Sequence, residues 1–242
     1  MKVLAIIQAR MKSTRLPGKV LKKLGEKSVL EILIERLRKS KTIDEMVVAT
    51  TTSKEDDIII KLLESIGVKY YRGSEDDVLD RYFKAATLFN AKNIVRITAD
   101  NPLTNVNLID LQVKLLAKNN YDYTTVKNVI LGLGSEVFTF NALKKAWEKA
   151  RRKYQREHVT PYIYEHPEIF KIKCISAPNP LRRSDIRLTI DTPEDLKLYQ
   201  ELYNRFKDMV NVNIRDVIRF LDKNPHIKEI NRNIKQKHYM DV

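Results

Sequence analysis

A chain of 242 residues with 43% hydrophobic and 31% charged residues is long enough to bury a full core and too apolar to be disordered by composition. No apolar stretch approaches the roughly 18 residues of a membrane span, Met1-Lys2 runs straight into strand-like sequence without signal-peptide regions, and the single cysteine, Cys174, excludes an intrachain disulfide; a cytoplasmic protein with no membrane partner is expected. The 45 basic residues against 31 acids leave a net charge of +14, which asks for an anionic partner, although much of that charge alternates with glutamate along helix faces, as solvated surfaces do.

The apolar run Val3-Leu4-Ala5-Ile6-Ile7 predicts a buried strand of a parallel sheet. Directly after it, Arg10, Lys12, Arg15 and Lys19 share ten positions with Ser13, Thr14 and the Pro17-Gly18 pair. Cations and free backbone N–H groups at the carboxyl end of a strand are what a polyphosphate requires. The loop matches neither the Walker pattern nor G-x-G-x-x-G, so its phosphate affinity is read from charge and from Gly18, which permits close backbone approach.

Strands are predicted at 3–7, 46–50, 69–71 and 93–97, with helices near 27–40, 54–66, 76–90 and 106–119. In the second helix Ile58, Leu62 and Ile66 recur every four residues, which places them on one buried face. This alternation implies right-handed crossovers and a mostly parallel sheet covered on both sides. Ligands of such sheets bind beyond the carboxyl ends of the strands, so loops 10–19, 50–53, 72–73 and 98–100 are expected on one edge. Two aspartates, Asp100 and Asp191, each follow an apolar run and each precede a proline by two residues. Paired strand-end carboxylates on a phosphate edge suit magnesium, which takes one or two carboxylates together with phosphate oxygens. Arg72-Gly73-Ser74 leads into an acid-rich helix start, where Arg72, Ser74, Asp80 and Arg81 are candidates to face a nucleotide.

From residue 121 the rhythm changes. Strands are expected at 121–126, 136–139, 170–176 and 186–190, with helices at 140–152 and 157–165, and 121–187 reads as an insertion within a single domain, a place for acceptor choice and dimer contacts. Cys174 alternates like a buried strand residue. His158 has no second histidine at metal-ligand spacing, so zinc is not expected; Arg156 and His158 are candidates to contact an acidic substrate. Thr192 and Pro193 predict the start of a helix, and 211–242 reads as a helical basic tail, densest in charge from Lys228 to His238.

In order along the whole chain, Ala9-Arg10-Met11-Lys12-Ser13-Thr14-Arg15-Leu16-Pro17-Gly18-Lys19, Arg72-Gly73-Ser74-Glu75-Asp76-Asp77-Val78-Leu79-Asp80-Arg81-Tyr82, Arg96-Ile97-Thr98-Ala99-Asp100-Asn101-Pro102-Leu103, Arg156-Glu157-His158-Val159-Thr160-Pro161-Tyr162 and Asp191-Thr192-Pro193-Glu194-Asp195-Leu196 resemble the spore coat polysaccharide biosynthesis protein F group of cytidylyltransferases, relatives of CMP-KDO synthetase and acylneuraminate cytidylyltransferase. The resemblance implies a three-layer α/β/α nucleotide-diphospho-sugar transferase fold, Rossmann-like, with a small insertion subdomain. It implies magnesium-dependent transfer of CMP from CTP to an acidic, 2-oxo acid sugar, with release of pyrophosphate, by a homodimer. Ala9, Arg10, Ser13, Arg15, Gly18, Lys19, Arg72 and Thr98 then bind the nucleotide, Asp100 and Asp191 the metal, and Glu136, Arg156 and His158 the acceptor, with Arg10, Lys19 and Asp100 catalytic. The chain departs from the group at Lys12, at Ala99-Asp100-Asn101 and at Gly132-Leu133-Gly134-Ser135, where an aspartate is missing. Three other readings remain open: a nucleotidylyltransferase with a sugar 1-phosphate or phosphonate acceptor, an inactive nucleotide-binding relative partnering a glycosyltransferase, and a nucleic-acid-binding module, which the lack of an aromatic-rich recognition motif disfavours.

Overall fold

In the computed structural model, which describes residues 2–236, a seven-stranded sheet lies between two layers of helices. Strand β1 (Val3–Gln8) is central. It pairs in parallel with β4 (Glu45–Thr51) on one side and with β6 (Asn93–Thr98) on the other, and β5 (Lys69–Gly73) extends the sheet beyond β4. The two short strands between, β2 (Lys23–Leu24) and β3 (Lys27–Ser28), form a separate hairpin. The side chains of β1 alternate as the pleat demands: Val3, Ala5 and Ile7 enter one apolar cluster, Leu4 and Ile6 the other.

The first cluster is covered by α1 (Val29–Leu37), α2 (Asp57–Ser65) and α4 (Val106–Asn119), the second by α3 (Val78–Leu88) and α5 (Phe140–Lys149). Burial in α2 falls on Ile59, Ile60 and Leu63, while Ile58 is 52% exposed and Leu62 and Ile66 lie at the margin. The four-residue spacing is therefore real but one position out of phase: Ile59 and Leu63 enter the apolar cluster, together with Val68 beyond the helix.

Residues 121–187 add three strands to the same sheet. β8 (Glu136–Thr139) runs antiparallel between β6 and β7 (Tyr123–Lys127), and β9 (Ile172–Ser176) pairs in parallel with β7 at the margin. Cys174 is exposed, on the edge strand β9, and not buried as its alternation in the sequence indicates. The helix expected over 157–165 is broken into α6 (Lys153–His158) and α7 (Pro161–Tyr164), with Val159 at φ 71° between them. The positive φ of Val159 ends one helix, and Pro161, whose missing N–H costs nothing in a first helical turn, starts the next. Residues 186–190 do not form a sheet strand. Their N–H groups go elsewhere, Leu188 to the Leu131 carbonyl (2.7 Å) and Ile190 to that of Asp100 (2.9 Å).

A third apolar cluster joins α8 (Pro193–Phe206) and α9 (Ile214–Lys223) to the outer side of α1 and to the 130–133 and 186–190 segments. Thr192 accepts from the Asp195 N–H and Pro193 occupies the first turn of α8, as the sequence indicates. The chain continues through α10 (Pro225–Lys228) to Gln236; Lys237 and His238 of the expected basic tail lie outside the described residues. Among the described residues no helix is long and apolar enough to cross a membrane.

Candidate active site

The chain crosses from one side of β1 to the other on leaving β5, so the carboxyl end of β1 is the switch point at which an open α/β sheet receives its ligand. The loop that follows is shaped by three local bonds. The Met11 N–H donates to Asp56 Oδ1 (2.7 Å), Gly18 N–H donates to the Met11 carbonyl (2.9 Å), and Lys19 N–H to that of Leu16 (3.2 Å). Gly18 sits at φ 66°, a left-handed conformation that brings Lys19 back under the loop. Asp56 is 2% exposed and also accepts from Thr50 and Thr51, so it anchors the loop to the end of β4.

Lys19 is the hub of the site. Its Nζ donates to Asp100 Oδ2 (2.5 Å) and Asp191 Oδ1 (2.7 Å), two carboxylates 91 positions apart in sequence, counted from their numbers. The bond from Ile190 N–H to the Asp100 carbonyl brings the two acids to the same place. Burial alone would push the Lys19 ammonium down, but both carboxylates hold it above its ordinary value. Burial would likewise raise Asp191; Lys19, then Arg15 and Arg187, hold it below the usual carboxylate range. Arg15 reaches Asp191 at 3.1 Å and Arg187 at 2.9 Å. Behind them the fully buried Asp195 accepts from Arg187 Nε (2.9 Å), the Asp191 N–H (2.9 Å) and Asn231 Nδ2 (2.8 Å).

These groups open onto a cavity of about 600 Å³. Of the residues the sequence put forward, Ala9, Arg10, Ser13, Arg15, Lys19, Thr98, Asp100, His158 and Asp191 line it together. Gly18, Arg72, Glu136 and Arg156 do not. Gly18 shapes the loop from outside the lining. Arg72 donates to the carbonyls of Thr51 (2.9 Å) and Ser53 (2.8 Å) and pairs with Asp57, which fastens the turn after β4. Arg156 pairs with Asp77 and donates to the Trp147 carbonyl (2.8 Å), locking α6 against α3. Glu136 is held by Arg96 (2.6 Å), Thr160 (2.7 Å) and the Tyr123 hydroxyl, an ion pair internal to the sheet.

The cavity also takes in Gln8, Arg81, Lys153, Glu157 and Gln236. Of these, Arg81 was put forward from the sequence through its position after the Arg72-Gly73-Ser74 turn, and Glu157 lies within the Arg156-Glu157-His158 motif. Arg187 and Asp195 were hidden as well, because an arginine in an apolar run and an acid in a first helical turn both have local explanations. Among the described residues no group of three or more His, Cys, Asp or Glu side chains is placed to hold a metal ion. The Asp100–Asp191 pair nevertheless gathers around one cation, the Lys19 ammonium, and two hard oxygen donors with phosphate oxygens supplied by a substrate match what magnesium takes.

Residues 4–234 match the model of the cytidylyltransferase family. The chain is 38% identical over 228 residues to the spore coat polysaccharide biosynthesis protein SpsF of Bacillus subtilis, covering 92% of this chain and 95% of that protein. It is 34% identical over 121 residues to a 3-deoxy-manno-octulosonate cytidylyltransferase of Geobacter sulfurreducens, about half of each chain. A solved cytidylyltransferase from Leptospira borgpetersenii superposes with a TM-score of 0.87 at 37% identity, over 98% of this chain and 100% of that one. The CTP complex of a CMP:2-keto-3-deoxy-manno-octonic acid synthetase shares the fold, with a TM-score of 0.64 at 15% identity over 85% of this chain and 99% of that one. With its loop, its paired aspartates and its nucleotide-sugar transferase fold, the chain belongs to the cytidylyltransferase family of nucleotidyltransferases.

Proposed function

We propose that the protein is a magnesium-dependent cytidylyltransferase that transfers CMP from CTP to an acidic sugar for surface polysaccharide synthesis, releasing pyrophosphate. The observation that carries this reading is the Asp100–Lys19–Asp191 bridge, which ties the cation-rich loop to both aspartates in the lining of one cavity. The family supports nucleotidyl transfer, the name of the Bacillus subtilis relative supports the polysaccharide setting, and the ligand named for the synthetase complex supports CTP.

Arg10, Ser13, Arg15 and Lys19 receive the triphosphate, the cations by charge and Ser13 by its hydroxyl. Asp100 and Asp191 hold magnesium, which neutralises phosphate oxygens when bound. The acceptor hydroxyl attacks the α-phosphorus in line, one P–O bond forms as the bond to the β-phosphate breaks and the hydroxyl proton is released to solvent, and Arg10 and Lys19 neutralise the departing pyrophosphate. No protein nucleophile is needed, so the chain's contribution is position and charge. Lys153 and His158, on α6 at the cavity wall, suit the carboxylate of an acidic acceptor.

The test is pyrophosphate release across a panel of nucleoside triphosphates and a pool of acidic sugars, with mass spectrometry of the products. CTP with a 2-oxo acid sugar should turn over and yield the CMP-sugar. Asp100→Ala should abolish turnover, by at least about 100-fold on the scale of lost charge stabilisation, while the unfolding transition stays cooperative. Near wild-type pyrophosphate release in that variant would remove Asp100 from the mechanism.

A further inference from the structure

A second cavity, of about 610 Å³, lies apart from the active site and shares no lining residue with it. It is bounded by the end of α1, the first turn of α4, the 178–181 turn and the 210–215 segment that opens α9. A space of this size is within the range that holds small ligands. Its lining contains three cations, Arg36, Lys39 and Arg215, and no aspartate or glutamate. The active-site cavity, by contrast, sets Asp100, Asp191 and Glu157 among its cations.

Local structure does not account for this gathering of charge. Arg36 is 8% exposed; its Nη1 donates to the carbonyls of Met209, Val210 and Val212 (3.1, 3.0 and 3.2 Å), while its Nε finds no acceptor. Those bonds hold the 209–212 turn, but they leave a buried charge with dipoles and no counter-ion, which is costly. Lys39 Nζ donates to the Val210 carbonyl (2.8 Å) and to Asn211, and Arg215 is exposed. Among the described residues none of the three cations forms an ion pair. Asp208 acts on Arg36 and Lys39 from nearby, but it accepts from the Val210 and Asn211 N–H groups (both 3.0 Å) and so belongs to its own turn. Burial holds Arg36 below its ordinary pKa, and burial together with Arg36 does the same to Lys39.

Two helix starts add to the same potential. The first turns of α4 and α9 both border the cavity, and the amino end of a helix carries partial positive charge. Asn105 and Asn213 cap these turns, whereas Asn107 and Asn179 are exposed in the lining, and a carboxamide both donates and accepts, as a pair of sugar hydroxyls requires. Leu111, 40% exposed, and Pro178 give the cavity an apolar side. We propose that this second cavity binds an anionic sugar, with its phosphate or carboxylate on Lys39 and Arg215, its hydroxyls on Asn107 and Asn179, and a ring face against Leu111. The buried Arg36 contributes charge from behind. This site goes beyond the nucleotide reading and stands whether or not CTP is the substrate.

The experiment is calorimetric titration of the full chain with glucose 1-phosphate, glucuronate, glucose and inorganic phosphate, each alone. Wild type is compared with a double variant, Lys39→Gln with Arg215→Gln, and with Arg10→Gln, which weakens anion binding in the active-site cavity instead. Thermal unfolding checks the fold. Wild type should bind glucose 1-phosphate or glucuronate saturably, and glucose and inorganic phosphate at least about tenfold more weakly. The double variant should weaken the anionic sugar by at least about tenfold, and Arg10→Gln should retain it. Affinity unchanged in the double variant overturns the inference. Affinity lost in Arg10→Gln also overturns it and moves the anion to the active-site cavity. Glucose or inorganic phosphate bound as tightly as either anionic sugar overturns it as well, since the site then does not read charge and hydroxyls together. If the double variant does not unfold cooperatively, Arg215→Gln alone, a change at an exposed side chain, decides.

Discussion

Lys19 shows how one side chain sets the electrostatics of the site. Its ammonium and the Asp191 carboxylate are both largely withdrawn from water, and each holds the other in its charged form. The sign of the pH dependence follows from the shifts. Asp191 is held below its ordinary value, so its stabilisation is complete above the usual aspartate pKa of about 4 and disappears as pH falls through the lower folded value. Lys19 is held above its ordinary value, so its share persists through neutral pH and is lost only as pH rises through the raised value. Lys19→Met should therefore cost about 3 kcal/mol at pH 7, the scale of a broken buried ion pair, and the gap to wild type should narrow as pH falls below 4; urea unfolding at two pH values measures both. Magnesium should raise the melting temperature of Lys19→Met more than that of wild type, because no ammonium competes for the carboxylates. Equal gains would place the metal away from this pair.

Elements place these residues through contacts that are tight in the backbone. Gly132, at φ 100°, lies where a Cβ would stand 2.0 Å from the Leu188 carbonyl oxygen. That close approach aligns Leu131 with Leu188 and leads the chain to Ile190, Asp191 and the start of α8. Gly132→Ala should lose about 2 kcal/mol or more, since it combines strained φ with a backbone clash, and urea unfolding at neutral pH would show it. A neutral result would mean the 130–133 turn does not govern the position of Asp191. The break between α6 and α7 matters in the same way: ending α6 at His158 lets Lys153, Glu157 and His158 line the cavity while Thr160 reaches back to Glu136 in the sheet.

The whole molecule closes on a buried charge network. Arg187, Asp191 and Asp195 come from the segment entering α8, and Asn231 and Gln236 return from beyond α10 to bind Asp195 and Arg187 (2.8 and 2.7 Å). Asp195→Ala would leave Arg187 buried with Asp191 as its remaining carboxylate partner, and should cost about 3–5 kcal/mol together with turnover; calorimetric unfolding and pyrophosphate release measure the two losses. Stability retained with activity lost would make Asp195 a positioning residue without a structural role. The parallel core of the sheet, the ligand edge, the cation-rich loop and both aspartates were legible in the sequence, because strand periodicity, strand-end position and charge are local properties of the chain. The phase of α2, the exposure of Cys174 and the fate of 186–190 were not, since each depends on which neighbour an element meets. For the same reason Arg72, Glu136 and Arg156 looked like ligands, although tertiary partners already hold them, while Gln8 and Asp195 looked ordinary. Sequence alone determined the cation-rich loop and the two strand-end aspartates. Only the tertiary structure decided which of their charges and hydrogen bonds are met within the fold and which are left for a ligand, because that depends on contacts between residues up to 172 positions apart.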